Sequence, residues 1–324
     1  MKVGSRLCNG IRSASVGNAM GQVHLLVNPV AGAGKAAKAH QEIADSIRSF
    51  GHEVIELNAD RPDRVQEVIR QAKAEGMTRL VIVGGDGLVH YALPALAGSK
   101  TVVGIVSAGT GNDFARSLGL PTKTNDAVKA ALGEPSLVDL LRSKPRPAKS
   151  TNEPNEGWVA TVATSGFSGD VNATANGLRF PRGKQRYTVA TLINLGRLQP
   201  SEIEVTVDGV VQTYKAILIA VANTKYFGGG MAICPEAKPN DGLVHFTIIE
   251  DVSPFTLARL LPTVFFGRHI RHPRVSVGSG ETVEVESKNA FWADGEPFGG
   301  KGRVVFSADP KTLLVAGASS MEDA

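Results

Sequence analysis

Arg79-Leu-Val-Ile-Val-Gly-Gly-Asp-Gly87 is the stretch on which the reading of this chain turns. An unbroken run of leucine and β-branched residues is a strand buried on both faces, and it stops on glycines, where the backbone can turn tightly and approach a ligand. The same pattern occurs twice more. Upstream, His24-Leu-Leu-Val27 runs into Asn28-Pro-Val-Ala-Gly-Ala-Gly-Lys35. Downstream, Thr101-Val-Val-Gly-Ile-Val-Ser-Ala108 runs into Gly109-Thr-Gly-Asn-Asp113. Such turns leading into helices offer backbone N–H groups to phosphate oxygens. Three of them on neighbouring parallel strands would build one phosphate site, with Asp86 and Asp113 available for a cation. The residues point to a nucleotide-dependent phosphotransferase.

The segments between the turns agree. Residues 36–50 carry Ile43 and Ile47 at helical spacing, Gly51 stops them, and His52-Glu-Val-Ile-Glu-Leu57 follows as a strand. Val65, Val68, Ile69 and Ala72 line one face of Asp63–Ala74, with Asp60 placed to cap it, and a further helix runs through Ala97. Residues 21–141 therefore read as an α/β nucleotide-binding domain, a parallel sheet with helices on both faces and its ligand at the C-terminal strand ends. At 142–156 the composition turns to Pro, Ser, Lys and Asn, as in a linker or loop. Beyond it, alternation in Glu202-Ile-Glu-Val-Thr-Val-Asp208 and Thr282-Val-Glu-Val-Glu286 marks half-exposed antiparallel strands. Helices are expected near Tyr187–Leu198 and Pro254–Phe266. Residues 157–316 read as a β-rich sandwich domain whose last strand is free to return to the first domain, with tails at 1–20 and 317–324 and Met20 as an alternative start.

Composition narrows the class. The chain has 324 residues, 42% hydrophobic and 20% charged, enough for two globular cores. A net charge of +4 is too mild for a nucleic-acid binder. Its basic residues cluster, however: Arg179, Arg182, Lys184 and Arg186, then Arg268, His269, Arg271, His272 and Arg274. These suit anionic phosphates or an anionic membrane face, or are solvated loops. Two cysteines, Cys8 and Cys234, fit a reduced compartment. No apolar run reaches the roughly 18 residues of a membrane span, and residues 1–20 lack a signal peptide's apolar region. The expectation is a cytoplasmic protein in peripheral contact with the inner membrane face; a homodimer through an edge strand is open.

Each turn also has a plain structural reading. Gly32-Ala-Gly34-Lys-Ala-Ala37 matches a dinucleotide-binding pattern, but Pro29 and the two further phosphate-type turns argue against it, and Ala36 excludes a Walker A loop. Asp86 in Gly84-Gly85-Asp86-Gly87 can hold Mg²⁺ or close an Asx turn. In Gly109-Thr110-Gly111-Asn112-Asp113, Asp113 can serve a ligand or cap the helix that follows. Asp294-Gly-Glu296, taken alone, reads as a surface turn between strands.

Together, Asn28-Pro29 with Gly32, the Gly84–Gly87 and Gly109–Arg116 segments, Asn223, Gly228-Gly-Gly230, Pro235-Glu-Ala237, Asp241-Gly242 and Asp294-Gly-Glu296 resemble the diacylglycerol kinase catalytic-domain superfamily, in its bacterial lipid-kinase branch related to sphingosine kinases. The resemblance spans residues 21 to about 316. It implies an ATP- and Mg²⁺-dependent lipid kinase acting at a membrane surface, with diacylglycerol as the foremost acceptor. A soluble-acceptor kinase of the NAD-kinase type, or a non-catalytic nucleotide- or lipid-binding protein, is the alternative. ATP phosphates would lie on the Asn28–Gly32 loop, the Asp86 turn and Thr110, and Asp294 would be the general base with Glu296 beside it. The family's structural Mg²⁺ would fall on Asp241 and the Leu243 carbonyl, but Lys238 stands where another carboxylate is usual, so the metal is expected to be absent or replaced by that ammonium. After Gly87 the family commonly has Thr, a small residue, Asn and Glu. Here Leu88, Val89, His90 and Tyr91 follow, and His90 reads either as a compensating polar group or as a helix-surface histidine.

Overall fold

A computed structural model describes residues 21–27, 35–109, 111–146, 157–167, 199–298, 301–318 and isolated positions between 169 and 194. The first domain is a parallel sheet ordered β2(Glu53–Asn58), β1(Gln22–Val27), β3(Arg79–Gly84), β4(Val102–Ser107). Strand alternation sorts its residues between two helical layers. Leu26, Leu80 and Ile82 pack with α2(Pro62–Ala74) and α3(Asp86–Leu96), while Leu25, Val81 and Val83 pack with α1(Lys35–Ser49) and α5(Thr124–Ala131). Covering both faces is what permits strands with no polar alternation. The short α4(Asp113–Ser117) follows β4.

Two local expectations change. Asp60 does not cap α2: the helix begins at Pro62, whose fixed φ suits a first turn, and Arg61 occupies the cap position with no side-chain hydrogen bond. Residues 142–146 are not linker, because β5(Pro135–Arg146) runs on through them, paired antiparallel with β15(Gly302–Ala316). These two long strands join the domains. The end of β15 lies parallel to β4 through Leu314 and Val315, whereas its start pairs antiparallel with β12(Thr282–Ser287).

The C-terminal domain is an antiparallel β-sandwich. β7(Val162–Gly166), β8(Ser201–Val207), β9(Val210–Ala222) and β12 continue the path from β15, and β10(Val244–Glu250) and β11(Val275–Gly280) pair off β9. β9 alternates as the sheet requires: Ile219 and Val221 enter one core, and Leu218, Ala220 and Ala222 the other. Helix α6(Pro254–Val264) covers the second core, and Ser253 Oγ accepts the N–H of Thr256 to cap it. The helix expected near Tyr187–Leu198 lies almost wholly outside the described residues, as does the basic cluster from Arg179 to Arg186.

Candidate active site

Two of the three glycine turns meet as expected of neighbouring strand ends. The Ala108 N–H donates to the Gly84 carbonyl at 3.0 Å and the Asp86 N–H to the Gly111 carbonyl at 3.3 Å. A Cβ on Gly85 would fall 2.5 Å from the Gly111 carbonyl oxygen, and one on Gly109 would fall 2.7 Å from the Gly85 Cα, so backbone packing excludes a side chain at both. Gly87 belongs to the first turn of α3 rather than to a loop. Asn28, Pro29, Gly32 and Thr110 lie outside the described residues.

Asp86 sits at the start of α3, yet its carboxylate serves the next helix. Its Oδ2 accepts the N–H of Asp113 at 2.9 Å and its Oδ1 that of Phe114 at 3.1 Å. The capping role considered for Asp113 therefore belongs to Asp86. Burial pushes the Asp86 carboxyl up to about 6, the Asp113 and Asp294 charges adding to the rise and the two backbone N–H groups opposing it. Asp113, at the first position of α4, turns its carboxylate to the second domain and accepts the Gly229 N–H at 2.7 Å. Asn112 donates to the Gly109 carbonyl at 3.1 Å, holding its own loop.

The second domain reaches the same place through a tight hairpin. β13(Phe291–Ala293) and β14(Glu296–Phe298) are joined by Asp294 and Gly295, with φ of 53° and 87°. Two consecutive positive φ values are what a two-residue hairpin turn requires, and Asp-Gly supplies them. The segment is a turn between strands, but a buried one rather than a surface one, since Asp294 is 8% exposed. Its Oδ1 accepts from Thr161 N at 2.7 Å and Thr161 Oγ1 at 2.6 Å, and its Oδ2 from Ala160 N at 3.1 Å and His90 Nδ1 at 2.9 Å. Tyr91 Oη donates to Glu296 Oε2 at 2.8 Å.

His90 and Tyr91 are where sequence reasoning missed most. His90 is not a surface histidine; it and Tyr91 are the two α3 groups that hold the Asp294–Glu296 hairpin. The available signal was spacing: positions 86 and 90, like 87 and 91, lie one helical turn apart on a common face. Burial lowers the His90 pKa, but the Asp294 hydrogen bond and the Asp294 and Glu296 charges outweigh it, leaving a net rise. Tyr91 is pushed up to about 12 by burial and by Glu296.

Asp241, where the resemblance would put a structural Mg²⁺, has partners within the chain. Asp241 Oδ2 pairs with His245 Nε2 at 2.8 Å and its Oδ1 accepts the Leu243 N–H at 3.0 Å. A histidine, not Lys238, thus balances Asp241, and no cluster of three metal-ligating side chains occurs among the described residues. Nearby, buried Asp139 takes the N–H groups of Gly242 at 3.0 Å and Lys311 at 2.8 Å, fixing the bend of β15.

Comparison with known proteins agrees with this layout. The model described as the diacylglycerol kinase catalytic domain matches residues 22–143, and the YegS C-terminal NAD kinase beta sandwich-like domain matches 161–317. The chain is 36% identical over 281 residues to a Mycobacterium tuberculosis protein named diacylglycerol kinase, covering 86% of this chain and 89% of that one. It is 29% identical over 279 residues to a protein of Klebsiella pneumoniae named as a YegS-like lipid kinase, covering 83% and 88%. A Bacillus anthracis structure titled diacylglycerol kinase superposes with a TM-score of 0.65 at 17% identity, over 91% of this chain and 96% of that one. Yeast NADH kinase does so at 0.52 and 12%, over 92% and 84%, a likeness of fold alone. With both domain matches on one chain and a relative at 36% identity over most of its length, the chain is a lipid kinase of the diacylglycerol kinase family.

Proposed function

We propose that this kinase transfers the γ-phosphate of ATP to the hydroxyl of a membrane lipid, diacylglycerol foremost, to give phosphatidic acid. The observation that carries this reading is the docking of the Asp294–Glu296 hairpin onto the α3 face that begins at Asp86. Through it the Asp294 and Glu296 carboxylates of one domain meet the helix that follows the turn which would bind phosphate in the other. The names of the relatives above favour a lipid acceptor, and the NADH kinase likeness, being one of fold alone, does not select a soluble one.

Asp86 and Asp113 would hold Mg²⁺. Asp86 accepts two backbone N–H groups and Asp113 one, and two carboxylates with phosphate oxygens and water form a set that this ion takes. The raised Asp86 pKa reflects buried negative charge that a cation would relieve. Bound there, Mg²⁺ supplies neutralisation of the phosphate charge during transfer. The chain itself supplies the backbone-packed glycine turns that fix the phosphates and the hairpin that fixes the acceptor.

Helix α6 offers a route to the lipid. Phe255, Phe265 and Phe266 are 70%, 50% and 75% exposed, with Arg259 over the Phe255 ring and Arg268 over that of Phe266. Exposed aromatics interleaved with arginine suit an anionic bilayer surface, and no helix among the described residues is long and apolar enough to cross one.

The test is transfer of ³²P from labelled ATP to diacylglycerol, ceramide, sphingosine, phosphatidylglycerol and polyprenol in mixed micelles, beside NAD without lipid. Label in diacylglycerol that is lost in Asp86→Asn supports the reading. Label in NAD alone overturns it in favour of a soluble acceptor.

A further inference from the structure

We propose that His90, oriented by Asp294, is the group that receives the proton of the acceptor hydroxyl, and that Asp294 acts through it rather than on the substrate. This rests on the kinase reading above and deepens it.

The first argument is saturation. A carboxylate offers about four lone-pair sites, and the structure fills them: two from Thr161, one from Ala160 and one from His90. The Asp294 side chain is 1% exposed. A lipid hydroxyl could reach it only by displacing one of these donors, two of which are main-chain groups locked by the fold.

The second argument is tautomeric. Asp294 presents acceptors, so the His90 nitrogen at 2.9 Å carries the hydrogen, and in a neutral ring Nε2 is then left with its lone pair. Among the described residues Nε2 has no protein partner, and it is not among the buried orphan atoms. The His90 side chain is 16% exposed, against 1% for the carboxylate that holds it. Buried acid, orienting hydrogen bond and accessible imidazole are the parts of the arrangement by which an aspartate fixes a histidine base.

The third argument is position. His90 lies four residues, about 6 Å, along α3 from Asp86, the residue that would hold the phosphate's cation. The groups that face it are Asp294 and Glu296 from the hairpin and Tyr91 from its own helix, the Tyr91 ring being edge-on at 5.5 Å. The surrounding carboxylates make it a stronger base than a free imidazole, and they stabilise the imidazolium it becomes.

The step balances. The acceptor oxygen forms its bond to the γ-phosphorus as the bond from that phosphorus to the ADP oxygen breaks. The hydroxyl proton passes to His90 Nε2, ADP leaves with the bridging electron pair, and the imidazolium later returns its proton to water.

His90→Asn retains an amide N–H where Nδ1 stands and removes the base. Its kcat is expected to fall about 10²- to 10³-fold while the KM for ATP stays within about twofold. The wild-type rate should rise with pH through the ionisation of His90, since only the neutral ring accepts a proton, and that limb should vanish in the variant. His90→Ala, a second variant, should regain part of its rate with added imidazole, which a purely structural role would not show. A His90→Asn enzyme within about threefold of wild-type kcat with the same pH profile would overturn the proposal and leave the kinase reading standing. If the wild type labels no lipid at all, both readings fall together.

Discussion

Gly229 donates its backbone N–H to the Asp113 carboxylate at 2.7 Å, a link between domains made by residues 116 positions apart. The segment from Phe227 to Met231 is closed by paired backbone hydrogen bonds, and Gly229 and Gly230 hold φ of 88° and 111° within it. An L side chain at such angles is strained. Gly230→Ala would also bring a Cβ to 3.3 Å from the Arg116 guanidinium, which can swing aside. The expected outcome is a loss of about 1–2 kcal/mol, mostly backbone strain. Urea denaturation measures that loss, and the accompanying drop in phosphate transfer reports how far Asp113 has been released.

Tyr91→Phe removes one hydrogen bond to a charged acceptor without changing ring packing. It should cost about 1–2 kcal/mol of stability and lower kcat more than it alters ATP binding, because Glu296 loses its tether. Glu296→Gln, which keeps an acceptor for the Tyr91 hydroxyl, should retain more stability than Tyr91→Phe. A larger loss in Glu296→Gln than in Tyr91→Phe would mean that the negative charge, not the hydrogen bond, holds the hairpin.

Replacing Phe255, Phe265 and Phe266 together by Ser should abolish co-sedimentation with phosphatidylglycerol vesicles. Intrinsic stability should change by no more than about 0.5 kcal/mol per site, as these rings are exposed. Vesicles of phosphatidylcholine alone should bind the wild type weakly, since the arginines then lack an anionic surface. Unchanged binding by the triple variant would remove α6 as the contact.

His269 and His24 set a pH dependence independent of catalysis. His269 is not part of a basic surface cluster: it is buried and its Nε2 donates to the Ile233 carbonyl at 3.0 Å. Burial lowers both pKa values below the usual 6.5, opposed at His24 by Glu75 and a backbone hydrogen bond near Arg79, and at His269 by the Ile233 bond. The unfolded chain therefore binds protons that the folded one refuses. Stability is fully present above 6.5 and is lost as pH falls below it toward the lowered folded values. His269→Gln should flatten part of that slope in denaturation curves taken from pH 7.5 to 5.5.

What the chain made legible on its own was local. Continuous apolar runs ending in glycine specified parallel strands and their turns, because burial on both faces and freedom at φ are properties of residue type. The period-2 alternation of β8 and β12 specified the antiparallel sandwich for the same reason. The resemblance then supplied Asp294 and Glu296 as site residues, which composition and spacing alone would have left as a surface turn. Tertiary structure alone decided which partner each polar group would find. That His90 meets Asp294 across 204 positions, that Asp86 caps the helix of Asp113, and that His245 rather than Lys238 balances Asp241 are outcomes of packing. A buried carboxylate takes whichever donors the folded backbone brings within about 3 Å, and no local pattern records which those will be.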